Sequence, residues 1–346
     1  MRGNSRPDLS DEDGELVAGI LDRQRRPLAK AITLIESTRH DHQARAHALL
    51  ERLIPYSGQA GHCDRGIRVG ISGVPGVGKS TFIEALGMYL VESGRRVAVL
   101  AVDPSSSLSG GAILGDKTRM ERLGQREEAF IRPTPTSGSL GGVAEKTREA
   151  MLLCEAAGFE VIIVETVGVG QSETSVAAMT DVFVLMQLPN AGDDLQAIKK
   201  GIVELADLVI VNKSDLDPQA ADNAARQMDS ALHMLKPSSP HWQPRVLKSS
   251  ATLEQGIAPF WQAIEEYGET MRAAGEFSAK RRRQALAWMW TLIETGLQGR
   301  FRKHPAVRRE LPAIATAVEA GELPPALAAE RLLDCFKEQT LEPLPE

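Results

Sequence analysis

A chain of 346 residues with 42% hydrophobic, 25% charged and 4% aromatic side chains carries apolar material for one or two globular domains, which excludes a small disulfide-stapled fold. Lys plus Arg number 40 against 46 for Asp plus Glu, a formal charge of −6, so the overall basic footprint of a nucleic-acid-binding protein is absent. Cys63, Cys154 and Cys335 are odd in number and widely spaced, which suits a reducing compartment and gives no paired-thiol metal framework.

The first fifteen residues are acidic and lack the apolar core of a secretory signal, so they are expected to form a disordered tail. No uncharged apolar run approaches the roughly twenty residues of a membrane span, and the expectation is a cytoplasmic protein with neither membrane nor nucleic acid as partner. Apolar residues then recur at helical spacing (Leu16, Ile20, Leu21; Leu28, Ile32, Ile35; Ala46, Leu49, Leu50, Leu53), predicting two or three short helices in an N-terminal extension, residues 1–62.

From 63 to 270 the pattern changes. Short β-branched runs at 67–73, 96–103, 159–166, 181–188 and 207–215 alternate with helical stretches, which predicts a parallel sheet covered on both faces. Residues 271–346 read as all-helical. They open with the basic run Lys280 to Arg283, taken as a solvated face or partner contact, and continue with Leu286, Met289, Trp290, Ile293 and Leu297 on one helical stripe. Such a stripe is either core or, on a terminal arm, a dimer interface.

The strand at 67–73 runs into Gly73, Val74, Pro75, Gly76, Val77, Gly78, Lys79, Ser80 and Thr81, which match G-x-x-x-x-G-K-[ST] with a helix following. Glycines let backbone N–H groups cradle phosphate oxygens, Lys79 reaches the β and γ phosphates, and the Ser80 hydroxyl suits Mg²⁺. The fold expected is therefore α/β, a P-loop NTPase with a mostly parallel sheet and helical extensions at both ends.

Asn212, Lys213, Ser214 and Asp215 follow an apolar strand in the N-K-x-D arrangement. A carboxylate at Asp215 accepts two hydrogen bonds from guanine and is left unpaired by adenine, so the pattern selects GTP over ATP. Ser250 and Ala251 form a candidate loop over the base. Asp103 and Glu165 stand at strand ends facing the same crevice as candidate Mg²⁺ ligands, and Gly168 offers an N–H to the γ phosphate. Asp116 is either a third carboxylate or one of a solvated turn pair. Gln171 is a candidate for orienting the attacking water. Lys199 or Lys200 is either a source of positive charge or a solvated helix residue. No arginine finger is evident, so slow turnover accelerated by a partner is expected.

Taken together, GVPGVGKST (73–81), AVDPSSSLSGGAILGDKTRM (101–120), RPTPTSGSLGGVA (132–144), VETVGVGQSE (164–173), LPNAGDDLQAIKKGI (188–202) and VNKSD (211–215) closely resemble the MeaB/ArgK-type GTPases of the SIMIBI class, the methylmalonyl-CoA mutase-associated GTPase chaperones. The resemblance implies a homodimeric GTPase binding GTP or GDP with Mg²⁺. It also implies that the protein gates adenosylcobalamin loading of an acyl-CoA mutase and protects that mutase. By the same resemblance Asp103, Asp116 and Glu165 surround Mg²⁺, residues from about 189 to 201 form a third switch that includes Lys199, and the C-terminal helices are the dimerisation arm. Older labels for relatives, arginine/ornithine transport ATPases or kinases, fit poorly with N-K-S-D. A nickel-type metallochaperone lacks support because His62-Cys63 is the one adjacent soft-ligand pair, and a small-molecule kinase would need a catalytic base that the sequence does not offer.

Overall fold

The computed structural model describes residues 9–57, 66–102, 120–134, 140–166, 172–189, 200–235 and 237–337. Three helices come first: α1 (Asp11–Leu21), α2 (Arg25–Glu36) and α3 (His40–Leu53). Residues 11–15 of the expected disordered tail are therefore helical. Ser10 caps α1 by accepting a hydrogen bond from the Asp13 backbone N–H, and Asp13 is buried in an ion pair with Arg45 at 2.7 Å. An N-cap and an acidic first turn favour helix there, which the charge count alone does not reveal.

The central layer follows as β1 (Ile67–Gly73), α4 (Lys79–Glu92), β2 (Val97–Val102), α5 (Glu121–Gly124), β3 (Ala129–Thr134), α6 (Leu140–Ala156), β4 (Val161–Thr166) and α7 (Ser172–Ala177). It continues with β5 (Val182–Gln187), α8 (Lys200–Val203), β6 (Leu208–Val211), α9 (Pro218–Met234), β7 (Arg245–Lys248) and α10 (Ile257–Ala273). The seven strands are ordered β3-β2-β4-β1-β5-β6-β7, and every pairing is parallel. The five central strands are those the apolar runs predict. The two edges, β3 and β7, were not predicted: AFIRPT is half polar or proline, and RVLK has a charge at each end. Both features suit an edge, where a long apolar run would invite unwanted pairing.

Period-two alternation divides the core between the two faces of the sheet. Val69, Ile71, Val97, Val99, Ile163 and Val184 face α4 and α10, while Leu100, Ile162, Val164, Phe183 and Leu185 face α6 and the N-terminal helices. α2 and α3 pack on α6, so the extension serves as an outer layer of the same core. β1 presents Arg68, Gly70 and Ser72 to that face in place of apolar side chains.

At the amino ends of the strands lies a buried ionic cluster. Arg281, in the first turns of α11 (Glu276–Lys303), forks onto Asp181 at 2.5 and 2.7 Å, and Arg68 forks onto Glu155 at 2.8 and 2.9 Å. Lys280 donates to the Asp181 carbonyl at 2.6 Å and lies 3.5 Å from Asp207, while the Tyr267 hydroxyl donates to the Asp181 carbonyl at 2.8 Å. The basic run is thus not a solvated face: Lys280 and Arg281 point inward, and Arg282 and Arg283 are exposed. Two compact units meet in sequence at this point, Met1–Arg281 and Arg282–Glu346. The second holds the rest of α11 with α12 (Pro305–Glu319) and α13 (Pro325–Lys337), joined by Phe301 against Phe336 at 5.6 Å and by buried Val307, Leu323 and Ala328. Leu286, Met289, Trp290, Ile293 and Leu297 are exposed, so the stripe is not core in this chain.

Burial alone would raise the Asp181 carboxyl, yet Arg281 and then Arg68 hold it below the ordinary carboxylate value. Asp181→Asn strands buried guanidinium charge and is expected to cost about 3–5 kcal/mol in urea unfolding. Because the folded-state value is depressed, this stabilisation is complete above the unfolded value of about 3.9 and fades as the pH falls through the lower folded one. The gap between wild type and variant should close below about pH 4; a gap that stays constant down to about pH 2 would contradict the assignment.

Candidate functional site

At the carboxyl end of β1 the chain turns through residues 74–78 into α4. Gly73 pairs with Met186, and a Cβ at Gly73 would collide with the Met186 carbonyl oxygen, so the chain can leave the sheet here only without a side chain. Gly78 has φ +94°, and a Cβ on it would lie 2.8 Å from Asn212 Nδ2. Between these glycines Val77 is fully buried and pins the loop from below, while Pro75 and Gly76 stay exposed at its tip. The result is a concave turn of backbone at a helix N-terminus, an arrangement that attracts an anion.

Lys79 opens α4, and its Nζ donates to the carbonyls of Gly73 at 2.7 Å and Val74 at 3.3 Å. Burial lowers the lysine's proton affinity below the ordinary value, and the carboxylates of Glu165 and Glu173 oppose that fall. Ser80 Oγ donates to Glu165 Oε1 at 3.3 Å, and Glu165 is buried at the end of β4, where Ile71 of β1 is its register partner. A hydroxyl and a carboxylate converging beside a phosphate-sized turn form an oxygen donor pair of the kind a hard divalent cation prefers. Thr81 is exposed on the first turn of α4.

Asn212 sits 1% exposed at the end of β6. Its Nδ2 donates to the Val77 carbonyl at 2.8 Å, and its Oδ1 accepts from Ser249 Oγ at 3.1 Å and from the Ala251 backbone N–H at 3.2 Å. Lys213 follows in a left-handed conformation, φ +58°, which turns the chain so that the Ser214 N–H reaches the Ser249 carbonyl at 3.0 Å. Asp215 emerges exposed beyond this turn. Ser250 is fully buried and exchanges backbone hydrogen bonds with Gln255, both at 3.0 Å, closing the loop that carries Ala251. The phosphate-loop residues, Asn212, Lys213, Ser250 and Ala251 therefore occupy one crevice.

Asp103, Asp116, Gly168, Gln171 and Lys199 lie outside the described residues, as do His62 and Cys63. Two further residues of the crevice escape a reading of motifs. Glu173, 2% exposed, lies in the first turn of α7. Gln187, 1% exposed at the end of β5, has no hydrogen-bond donor to its Oε1 among the described residues. An acidic residue in a first helical turn ordinarily reads as a dipole partner, and one glutamine ending an apolar strand gives no sequence signal.

A parallel sheet whose central strand delivers such a loop defines a P-loop nucleotide hydrolase. The family description "Methylmalonyl Co-A mutase-associated GTPase MeaB" matches residues 28–306, and the chain belongs to that family of GTPases. The chain is 46% identical over 338 residues to the mouse mitochondrial methylmalonic aciduria type A homolog, covering 95% of this chain and 81% of that one. It is 51% identical over 267 residues to the GTPase ArgK of Escherichia coli, covering 77% and 79%. A solved structure titled LAO/AO transport system kinase superposes with a TM-score of 0.75 at 37% identity, covering 95% of this chain and 99% of that one.

The Gly78 geometry makes a prediction. A side chain there would meet Asn212 as well as adopt a left-handed conformation that costs about 1–2 kcal/mol. Gly76 has φ +80° with nothing among the described residues within 4 Å of its missing Cβ. Gly78→Ala should weaken guanine-nucleotide binding, read by fluorescent GDP titration, by about tenfold more than Gly76→Ala does; equal losses would show that backbone strain alone governs the loop.

Proposed function

We propose that this chain binds and hydrolyses GTP as a chaperone of an adenosylcobalamin-dependent acyl-CoA mutase, methylmalonyl-CoA mutase being the first choice of client, and gates cofactor loading while protecting that enzyme. The observation that carries the nucleotide half of the reading is the Asn212 side chain, which fastens the phosphate loop to the loop of Ser249 and Ala251 in one crevice. The mutase half rests on family membership.

In this reading the backbone N–H groups of residues 73–81 cradle the phosphates and Lys79 turns from its own loop carbonyls to the β and γ phosphates. Asp215 accepts from the guanine edge, and Ser250 and Ala251 close over the base. Mg²⁺ fits the oxygen donors: Ser80 and Glu165, with Asp103 and Asp116, would hold it, and when bound it offsets phosphate charge. Gly168 donates its N–H to the γ phosphate, Gln171 orients the attacking water and Lys199 adds positive charge when the segment of about 189–201 engages the mutase. With no arginine finger in view, hydrolysis is slow alone and faster with the partner. The helical region 271–346 pairs two copies of the chain through its exposed stripe, in the cytoplasm, apart from membrane and nucleic acid.

The test is inorganic phosphate release from GTP and from ATP by the purified chain, with and without an adenosylcobalamin-dependent mutase from the same source. The expected outcome is slow GTP-only turnover that rises with mutase. Equal use of ATP, or no response to the mutase, contradicts the proposal, and phosphate transferred to arginine or ornithine would establish the kinase alternative. Asp215→Asn should lower the preference for GTP over ATP by at least about tenfold, because the variant amide no longer accepts both guanine hydrogen bonds.

A further inference from the structure

Residues 250–255 form the loop that the reading above closes over the base. Its neck is fixed: Ser250 and Gln255 exchange backbone hydrogen bonds at 3.0 Å, and the Ala251 N–H donates to Asn212 Oδ1 at 3.2 Å. The neck ends in Gly256, φ +80°, where a Cβ would lie 2.4 Å from the Lys248 carbonyl oxygen. The tip, residues 252–254, is exposed, and its backbone bonds run inward, from the Leu253 N–H to Ser250 Oγ at 3.4 Å and from the Glu254 N–H to the Ala251 carbonyl at 3.3 Å. Among the described residues the tip hydrogen-bonds outside its own loop at one place, Glu254 Oε1, which accepts from Arg122 Nη1 at 2.7 Å.

Arg122 stands on the short helix α5, which is seated firmly on α4. Met120 and Leu123 are buried there, and a Cβ on Gly87 of α4 would lie 2.4 Å from Leu123 Cδ2, so glycine lets α5 approach closely. Glu84 of α4 accepts from the Arg122 backbone N–H at 2.8 Å. α4 itself begins at Lys79, so this platform is continuous with the phosphate end of the crevice. Glu254 has φ +54°, a left-handed conformation that is uncommon for a residue with a side chain and that glycine adopts freely. A glutamate held in that conformation and bonded through its carboxylate points to a task for the side chain.

We propose that Glu254 is a positioning residue for guanine nucleotide: its ion pair with Arg122 latches the base loop to α5 and slows nucleotide release. The base leaves when the loop carrying Ala251 lifts, and lifting the tip breaks the ion pair. Both side chains are exposed, so the latch changes a rate by a small factor and does not create the site. Nucleotide enters while the loop is open and the pair already broken, so the effect falls on dissociation. This inference rests on the reading that Ser250 and Ala251 close over the base.

The test uses the full chain loaded with fluorescent GDP, and reads dissociation, association and thermal unfolding. Glu254→Gln and Arg122→Gln should each speed GDP dissociation by about threefold, with association within about 1.5-fold of wild type. The double variant should release GDP no faster than either single one, because both remove the same contact. Glu254→Gly suits the left-handed backbone; it should unfold within about 2 °C of the wild type yet release GDP as fast as Glu254→Gln. Glu266→Gln, which breaks a comparably exposed pair with Arg245 at the amino end of β7, should leave release unchanged. Wild-type release from either single variant, additive effects in the double variant, a change confined to association, or equal acceleration in Glu266→Gln would overturn the proposal. If Asp215→Asn leaves the preference for GTP intact, the reading of the base end itself fails. If that variant loses the preference while Glu254→Gln releases GDP like the wild type, only the latch fails.

Discussion

One buried amide sets the geometry of the crevice. Asn212 connects segments 135 residues apart in sequence by donating to Val77 and accepting from Ser249 and Ala251. Its orientation is fixed by chemistry, since an exchanged amide would set oxygen against the Val77 carbonyl and NH₂ against the Ala251 N–H. A ligand with a phosphate end and a base end requires the two subsites at a fixed separation, and a single side chain with no exposed rotamer freedom provides it. The same contact explains a backbone choice in the phosphate loop: Gly78 is glycine because Asn212 occupies the space where its Cβ would be. Gly73 has the corresponding relation to the Met186 carbonyl, so the phosphate loop is shaped by its neighbours as much as by its own turn preferences.

The opposite end of the sheet is held by different physics. Asp181, Glu155 and Asp207 face Arg68, Arg281 and Lys280, three acids with three bases, so removing any one leaves a charge uncompensated in a low-dielectric place. Burial raises the Tyr267 hydroxyl's pKa, and the carboxylates of Asp207 and Asp181 raise it further, which keeps it a donor to the Asp181 carbonyl. Strand ends present backbone groups that the ladder does not use, and this cluster gives several of them partners: the Arg68 N–H donates to Asp181 at 2.8 Å and the Phe183 N–H to Asp207 at 2.9 Å. The start of α11 is thereby fixed to the sheet by directional, charge-assisted bonds rather than by an apolar contact that could slide.

How much of this is legible in the sequence depends on whether a residue's task is local. IRVGISG followed by GVPGVGKST announces a strand, a phosphate turn and a helix, because strand burial and glycine spacing are local requirements. β3 and β7 stay hidden because an edge strand needs no continuous apolar run. Asp13 and the pair Lys280 and Arg281 read as solvated charge, since nothing nearby in sequence reveals partners such as Arg45, Asp181 and Asp207. Glu173 is a further instance: VGQSE places a carboxylate in a first helical turn, and nothing nearby in sequence shows that it is buried, or that the missing side chain of Gly70, about a hundred residues earlier, lets Val176 and Thr180 of the same segment approach β1.

The exposed stripe on α11 bears on the same division between local and distant requirements. Leu286 and Trp290 are 59% and 58% exposed and belong to a continuous apolar row with Met289, Ile293 and Leu297. Scattered apolar side chains on a surface need no explanation, but a row at helical spacing is a contiguous patch whose burial is worth about 25 cal/mol per Å². The row lies in the second compact unit, whose own small core of Val307, Leu323 and Ala328 does not use it. A row on one helix is self-complementary under a two-fold axis, because each copy offers the other the same ridge of side chains. Pairing of two such arms, as proposed above, would bury what this unit leaves exposed.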